Sequence, residues 1–276
     1  MSIKTIARDW LPPAVVRVIG RLRSGGIRFN GNYPTWEEAA AECTGYDDAP
    51  ILTKVLESTL KVKRGEAAYE RDSVLFECIE YVWPVTAAIM WVAAQSGGRL
   101  NVLDFGGALG SSYFQNRAFL ASLPEVRWSV IEQAHYVSAG REHIQDNTLR
   151  FYTSVDDCLA ENKPNAILLS SVLEYLPESI SYYLDIVGKS KAEIIIVDRS
   201  PVAFDQVEKI TVQKVPRQIY KATLPCRLIS SKRLIDLLKA LNYELVIQYP
   251  SIGGSGSNFS YQGFIFKRID RGMSPV

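Results

Sequence analysis

The stretch Asn101-Val102-Leu103-Asp104-Phe105-Gly106-Gly107-Ala108-Leu109-Gly110 brings an apolar run to an acid, then passes three glycines before a helical segment opens near Ser111. Glycine is needed where the backbone takes positive φ and where a ligand approaches the main chain with no Cβ in the way. The stretch therefore reads as a buried strand, a tight turn and a helix. In open α/β sheets ligands sit beyond the carboxyl ends of the strands, beside the switch point, which is where this turn falls. The spacing excludes the dinucleotide pattern, because G-x-G-x-x-G from Gly106 needs glycine at positions that hold Ala108 and Ser111. Asp104 would repel a diphosphate. It suits a ligand with a cationic group such as an ammonium, whose hydrogen bonds it accepts directly or through water.

The same texture continues C-terminally. Short apolar runs at Leu100–Asp104, Trp128–Glu132, Leu149–Tyr152, Ala166–Leu169 and Glu193–Asp198 read as strands. Helical segments fall near Ser111–Ser122, Ala134–Ile144, Val155–Ala160 and Ser179–Lys189. Strands alternating with helices imply right-handed crossovers and a parallel sheet covered on both faces. The tail differs: a strand over Lys209–Val215, a helix over Ser230–Leu241, then strands Tyr243–Tyr249 and Ser260–Phe266 joined by a Gly/Ser loop. Such a final pair gives a mostly parallel sheet an antiparallel edge. Glu132 ends the second strand, placed to accept both hydroxyls of a ribose, which points to a nucleoside ligand in general.

Upstream, residues 31–97 read as a helical cap. Thr35 and Glu38 make a capping box for a helix from Trp36 to about Thr44, after a loop over residues 26–35. A second helix is expected over Pro50–Lys63 and a third over Ala67–Gln95, broken at Pro84. Residues 1–30 are basic, and Leu11, Val15, Val18 and Leu22 share one face of a short helix with Arg17 and Arg21 on another. Residues 11–23 can thus rest on an anionic membrane surface or pack on protein; the sequence leaves both open. Three segments follow: the basic segment 1–30, the cap 31–97 and an α/β domain 98–276.

Of the 276 residues 47% are hydrophobic, enough for a full core, and the formal net charge of +1 argues against a general nucleic-acid binder. The four cysteines form no C-x-x-C pair and read as reduced thiols in the cytoplasm. The two histidines, His135 and His143, have no third ligand at metal spacing, so no metal site is expected.

With these residues in place, the sequence resembles the class I S-adenosylmethionine (SAM)-dependent methyltransferases. Asp104 to Gly110 is similar to their acid-x-Gly-x-Gly-x-Gly motif, with Ala108 in place of the middle glycine, and Glu132 to their second-strand acid. Ser170-Ser171-Val172-Leu173-Glu174-Tyr175-Leu176-Pro177-Glu178 resembles the segment after their fourth strand, with Tyr175 where a His is common. A closer resemblance is to a group of bacterial methyltransferases found among genes for cell-surface polysaccharides. It covers Gly45-Tyr46, Tyr69 to Ser73, Trp128 to Gln133, Asp198 to Pro201, Val212-Gln213 and Ile219-Tyr220 as well.

The resemblance implies a Rossmann-like methyltransferase sheet, SAM as cofactor, and a small-molecule or saccharide-linked acceptor. The implied cofactor set is Asp104, Gly106, Gly107, Ala108, Gly110, Glu132, Gln133, Ser170 and Ser171. Arg71 is expected to take the SAM carboxylate or an anionic acceptor with its planar fork. Asp198 and Glu174 are the candidate bases, with Tyr175 or Tyr220 positioning a hydroxyl acceptor. The alternative is a non-catalytic protein of the same fold, a subunit of a surface-glycan assembly complex.

Overall fold

The computed structural model describes residues 28–43, 48–214 and 223–269. The expectations for residues 11–23, Gly45-Tyr46 and Tyr220 lie outside these. Strand β1 (Arg28–Tyr33) leads to helices α1 (Trp36–Ala41) and α2 (Asp48–Lys63), the hairpin β2 (Tyr69–Arg71) and β3 (Val74–Phe76), and helix α3 (Trp83–Gln95). Then come β4 (Arg99–Phe105), α4 (Ser111–Leu120), β5 (Glu125–Ile131), and α5 (Ala134–Ala139) with a π turn over Gly140–Ile144. They are followed by β6 (Leu149–Tyr152), α6 (Val155–Glu161), β7 (Ala166–Ser170), a 3₁₀ turn over Leu173–Tyr175, and α7 (Ile180–Gly188). The chain finishes with β8 (Ile194–Ala203), β9 (Lys209–Lys214), β10 (Thr223–Leu228), α8 (Ser231–Ala240), β11 (Tyr243–Ser255) and β12 (Phe259–Arg268).

The main sheet has seven strands in the order β11-β12-β8-β7-β4-β5-β6. Strands β4 to β8 pair in parallel, whereas β12 is antiparallel to both β8 and β11. This is the Rossmann-like, mostly parallel α/β sheet expected from the sequence. The final hairpin turns back inside the sheet, so its antiparallel strand lies one in from the edge. Side chains along a strand alternate between faces. Val102, Trp128, Leu168, Ile194 and Ile196 pack with the residues of α3 and α4. Leu103, Ile131, Ile167, Ile195 and Val197 pack with those of α6, α7 and α8 on the other side. Burial at Ile180, Leu184 and Val187, spaced by four and three, fixes the inward stripe of α7.

The N-terminal region differs from the all-helical expectation. Residues 28–33, read as loop, form β1 and pair with β9, and β10 completes a three-stranded antiparallel sheet. Phe29 supplies the reason, since its ring meets Phe259 edge-on at 4.5 Å. The helix expected from Ala67 begins only at Trp83, with Pro84 in its first turn, where a missing N–H costs nothing. Before it, Asp72 and Ser73 both take positive φ (52° and 65°), the turn that a two-residue hairpin demands. The capping reading holds at Thr35, whose Oγ1 accepts from the Glu38 N–H at 3.2 Å.

Candidate active site

Chain reversal of strand order falls between β4 and β7, and the glycine turn sits there, at the carboxyl end of β4. Gly106, Ala108 and Gly110 all adopt positive φ (71°, 49° and 91°). Ala108 therefore occupies a glycine-like backbone conformation. Its methyl, small enough for that region, lets alanine stand in the middle of the series at a cost on the order of 1 kcal/mol. A Cβ on Gly106 would fall 2.3 Å from Val172 Cγ2, so the turn is packed directly on the segment that follows β7. A Cβ on Gly107 would fall 2.6 Å from the Asp104 carboxylate, which lies beneath it.

Asp104 is buried and accepts from Trp128 Nε1 at 2.9 Å. Burial pushes its carboxyl up to about 7, with the indole hydrogen bond and Arg199 working the other way and Glu132 adding to the rise. Across the turn, Glu132 accepts from the N–H groups of Ala108 (3.2 Å) and Gln133 (2.8 Å), one on each oxygen. Burial raises its pKa, and those two N–H groups oppose the rise.

One cavity of about 1390 Å³ runs along this edge. It is lined at one end by Glu132 and Gln133, in the middle by Asp104, Gly106, Gly107, Ala108, Ser170 and Ser171, and further on by Tyr175, Asp198 and Arg199. Single-ligand pockets run from about 300 to 1,000 Å³, so there is room here for two molecules side by side. The hairpin brings Glu70, Arg71 and Asp72 to the same cavity. Arg71 is engaged there by Glu80 at 3.1 Å and lies over the Phe76 ring at 5.2 Å. Glu70 is buried and accepts from the Ser73 N–H at 3.2 Å and from the Ser111 hydroxyl, joining the hairpin to the first turn of α4.

Asp198 is held by three hydroxyls: Tyr249 (3.0 Å) and Ser251 (2.6 Å) donate to Oδ1, and Ser170 donates to Oδ2 at 3.4 Å. Tyr249 comes from β11 and must cross β12 to reach it. It crosses at Gly263, its direct partner in register, where a Cβ would stand 2.2 Å from the ring. On the other side of β12, the register with β8 steps from Gln262↔Ser200 to Phe264↔Val197, so Gly263 alone faces both Asp198 and Arg199. That is a β-bulge, with Arg199 at a φ of 50°, and it turns two consecutive side chains into the one cavity.

Glu174 is fully buried, accepts from Ser171 Oγ at 3.0 Å, and leaves Oε2 without a partner. Burial pushes its carboxyl up to about 8. It reaches the cavity only through Ser171. Tyr175 reaches the cavity itself, and burial raises its hydroxyl well above the ordinary tyrosine range. The loop carrying both is clamped by Arg227, which donates to the carbonyls of Pro177 (3.2 Å) and Glu178 (3.0 Å) and pairs with Glu208 at 2.7 Å. Gln213 and Arg227 were not expected at the site from the sequence, whereas Asp198-Arg199, two charges ending a strand on the ligand edge, pointed to the acceptor side of the cavity, where both lie. Strand β10, which supplies Arg227, has no alternation to mark it: Thr223-Leu224-Pro225-Cys226-Arg227-Leu228 contains a proline.

No protein-family model and no curated protein matches the sequence. Among solved structures, the chain is similar to the glycopeptide N-methyltransferase MtfA complexed with SAM, at 12% identity and a TM-score of 0.46, over 67% of this chain and 94% of that one. It is also similar to magnesium protoporphyrin IX methyltransferase (ChlM) from Synechocystis PCC 6803 with bound S-adenosylhomocysteine (SAH), at 14% identity and a TM-score of 0.46, over 78% and 99%. A third is the Burkholderia thailandensis 1,6-didemethyltoxoflavin-N1-methyltransferase, at 13% identity and a TM-score of 0.41, over 87% and 93%. Likeness at this level brings no function with it.

Proposed function

We propose that this chain is a SAM-dependent methyltransferase that delivers a methyl group to a hydroxyl of a small-molecule or saccharide-linked acceptor. The observation that carries the reading is the glycine turn facing Glu132. Three left-handed residues hold the turn open, and Glu132 stands across it with acceptor capacity to spare. A carboxylate offers about two acceptor positions per oxygen. The N–H groups of Ala108 and Gln133 therefore leave one on each oxygen, a match for the two vicinal hydroxyls of a ribose. Asp104, under the side-chain-free Gly107, supplies the acid that an ammonium needs. The donor set fits the cofactor.

When bound, that cofactor supplies an electrophilic methyl group for in-line displacement. The chain's own part is to align and to exclude water, the two terms that dominate such a transfer. The cavity's far end, at Ser171, Tyr175 and Asp198, is where the acceptor lies in this reading. Asp198 is the favoured base for the acceptor's proton: Tyr249 and Ser251 fix its Oδ1, while Oδ2 keeps only the long contact to Ser170. Glu174 can take a proton only by way of the Ser171 hydroxyl, and its raised pKa keeps it protonated near neutrality. A cytoplasmic location belongs to the same reading, with the four cysteines as free thiols, and residues 11–23 rest in it either on an anionic membrane surface or on protein.

Calorimetry with SAH tests the proposal. The wild-type chain is expected to bind it, and Glu132→Ala to weaken it at least tenfold by loss of the ribose contacts. Well-folded wild-type protein that does not bind SAH refutes the reading. Binding without turnover on any acceptor favours the non-catalytic subunit.

A further inference from the structure

We propose that the Asp198–Arg199 bulge is an anion site for the methyl acceptor, in which the Arg199 guanidinium anchors a carboxylate or phosphate carried by that molecule. The inference rests on the functional reading above and narrows its substrate class.

Arg199 lines the cavity, and the 20% of its side chain that remains exposed is the part open to it. A guanidinium presents five N–H donors in a planar fork. Among the described residues the contact that Arg199 makes is a single ion pair, 3.7 Å to Asp72 at the tip of the hairpin, too long for a hydrogen bond. Its other acidic neighbours among them accept no hydrogen bond from it. Oδ1 of Asp198 is taken by two hydroxyls, and Glu174 holds its proton near neutrality. Burial alone would lower the arginine's pKa, but Asp72, Tyr69, Asp198 and Glu174 together raise it, so the group stays a cation at every accessible pH. The charge is thus balanced by its surroundings, but the N–H donors are not used, and an oxyanion in the cavity would take them as a fork.

Two further observations point outward to a ligand. Gln213 of β9 is 4% exposed, lines the same cavity, and has no hydrogen-bond partner for Oε1, an acceptor that suits a hydroxyl of the same molecule and not its anionic group. The backbone at Arg199 is held left-handed by the bulge, a conformation that costs a non-glycine residue energy and is found where a side chain must be aimed. The location favours the acceptor over the cofactor. Strand β8 lies two places beyond β4, on the side away from Glu132, which at about 4.8 Å per strand is some 10 Å from the glycine turn.

The test is an equilibrium titration of inorganic phosphate and of glucuronate, with glucose as the neutral control, into the wild-type chain with and without saturating SAH. At least one anion is expected to bind while glucose does not. Arg199→Gln should weaken that anion at least tenfold and change SAH affinity less than twofold. Should Arg199→Gln fail to fold, Arg199→Lys carries the comparison, with at least a threefold weakening expected from loss of the fork. The proposal is overturned if neither anion binds the wild type, or if the variants bind the anions as the wild type does. It is equally overturned if Arg199→Gln loses SAH tenfold yet retains 5′-methylthioadenosine, which lacks the amino-acid end; the guanidinium would then serve the cofactor's carboxylate. Wild-type protein that binds anions but not SAH removes the methyltransferase reading and leaves the anion site standing.

Discussion

Replacing Gly263 by alanine sets two physical expectations against each other. In an ordinary strand, Gly→Ala stabilises by about 0.5–1 kcal/mol, because glycine loses more backbone freedom on folding. Here the new methyl would stand 2.2 Å from Tyr249 Cζ and 2.5 Å from its hydroxyl, more than an ångström inside normal contact. Tyr249 is buried and cannot swing into solvent, so the ring must shift and release Asp198. Overpacking of this kind costs about 1–3 kcal/mol, and loss of a hydrogen bond to a carboxylate about 1.5–3 kcal/mol. The net expectation for Gly263→Ala is destabilisation by about 2–5 kcal/mol, read from urea unfolding. Tyr249→Phe removes the hydroxyl alone and should cost less. The double variant separates the terms, since its hydrogen-bond part can be lost only once and the two costs must fall short of additive. A Gly263→Ala protein as stable as the wild type, or more so, would refute the reasoning.

Other expectations follow from the same site. Glu174 titrates in the ordinary carboxylate range when unfolded and near 8 when folded, so the folded state holds the extra proton between those values. Stability therefore falls as pH rises from about 4 to 8, by up to about 1.4 kcal/mol per unit for one group, and Glu174→Gln should flatten that part of a stability–pH profile. Ala108→Gly trades relief of left-handed strain against a looser unfolded chain and should stay within about 1 kcal/mol of the wild type. Ala108→Val, β-branched at a φ of 49°, should lose about 2 kcal/mol or more in the same denaturation assay. Trp128→Phe strips Asp104 of its indole donor and leaves a gap in the core; a loss of about 2–4 kcal/mol in urea, with the Asp104 carboxyl rising further, is expected.

What could be read in the sequence was what repeats locally. The strands from Leu100 to Asp198 and their helices show the apolar periodicity of a covered parallel sheet, and they stand within a few residues of expectation. The glycine turn and Glu132 were legible because positive φ and a strand-end acid leave residue types behind. The three-stranded sheet was not. Strand β1, Arg-Phe-Asn-Gly-Asn-Tyr, has no apolar alternation, Phe29 and Tyr33 being only half-buried, and its pairing depends on β9, distant in sequence. The hairpin at residues 69–76 was hidden because its central charges looked like any solvated turn, while Glu70 within it is buried against Ser111. Asp198 and Arg199 were legible as charges at a strand end, but the bulge that brings both into one cavity was not, because alternation along a strand sends neighbours to opposite faces.

The pairing of β1 with β9 also governs when the cavity can exist at all. Gln213, Leu224 and Pro225 on β9 and β10 line it, yet the sheet that carries them joins Phe29 to Gln213 across most of the chain. During synthesis the glycine turn and Glu132 can leave the ribosome and begin to pack long before that wall has been made. Contacts of such long range form late, because the entropy of closing the loop is lost before any pairing rewards it. A nascent chain would thus hold the glycine-turn half of the cavity open to solvent, with the wall around Gln213 assembled last.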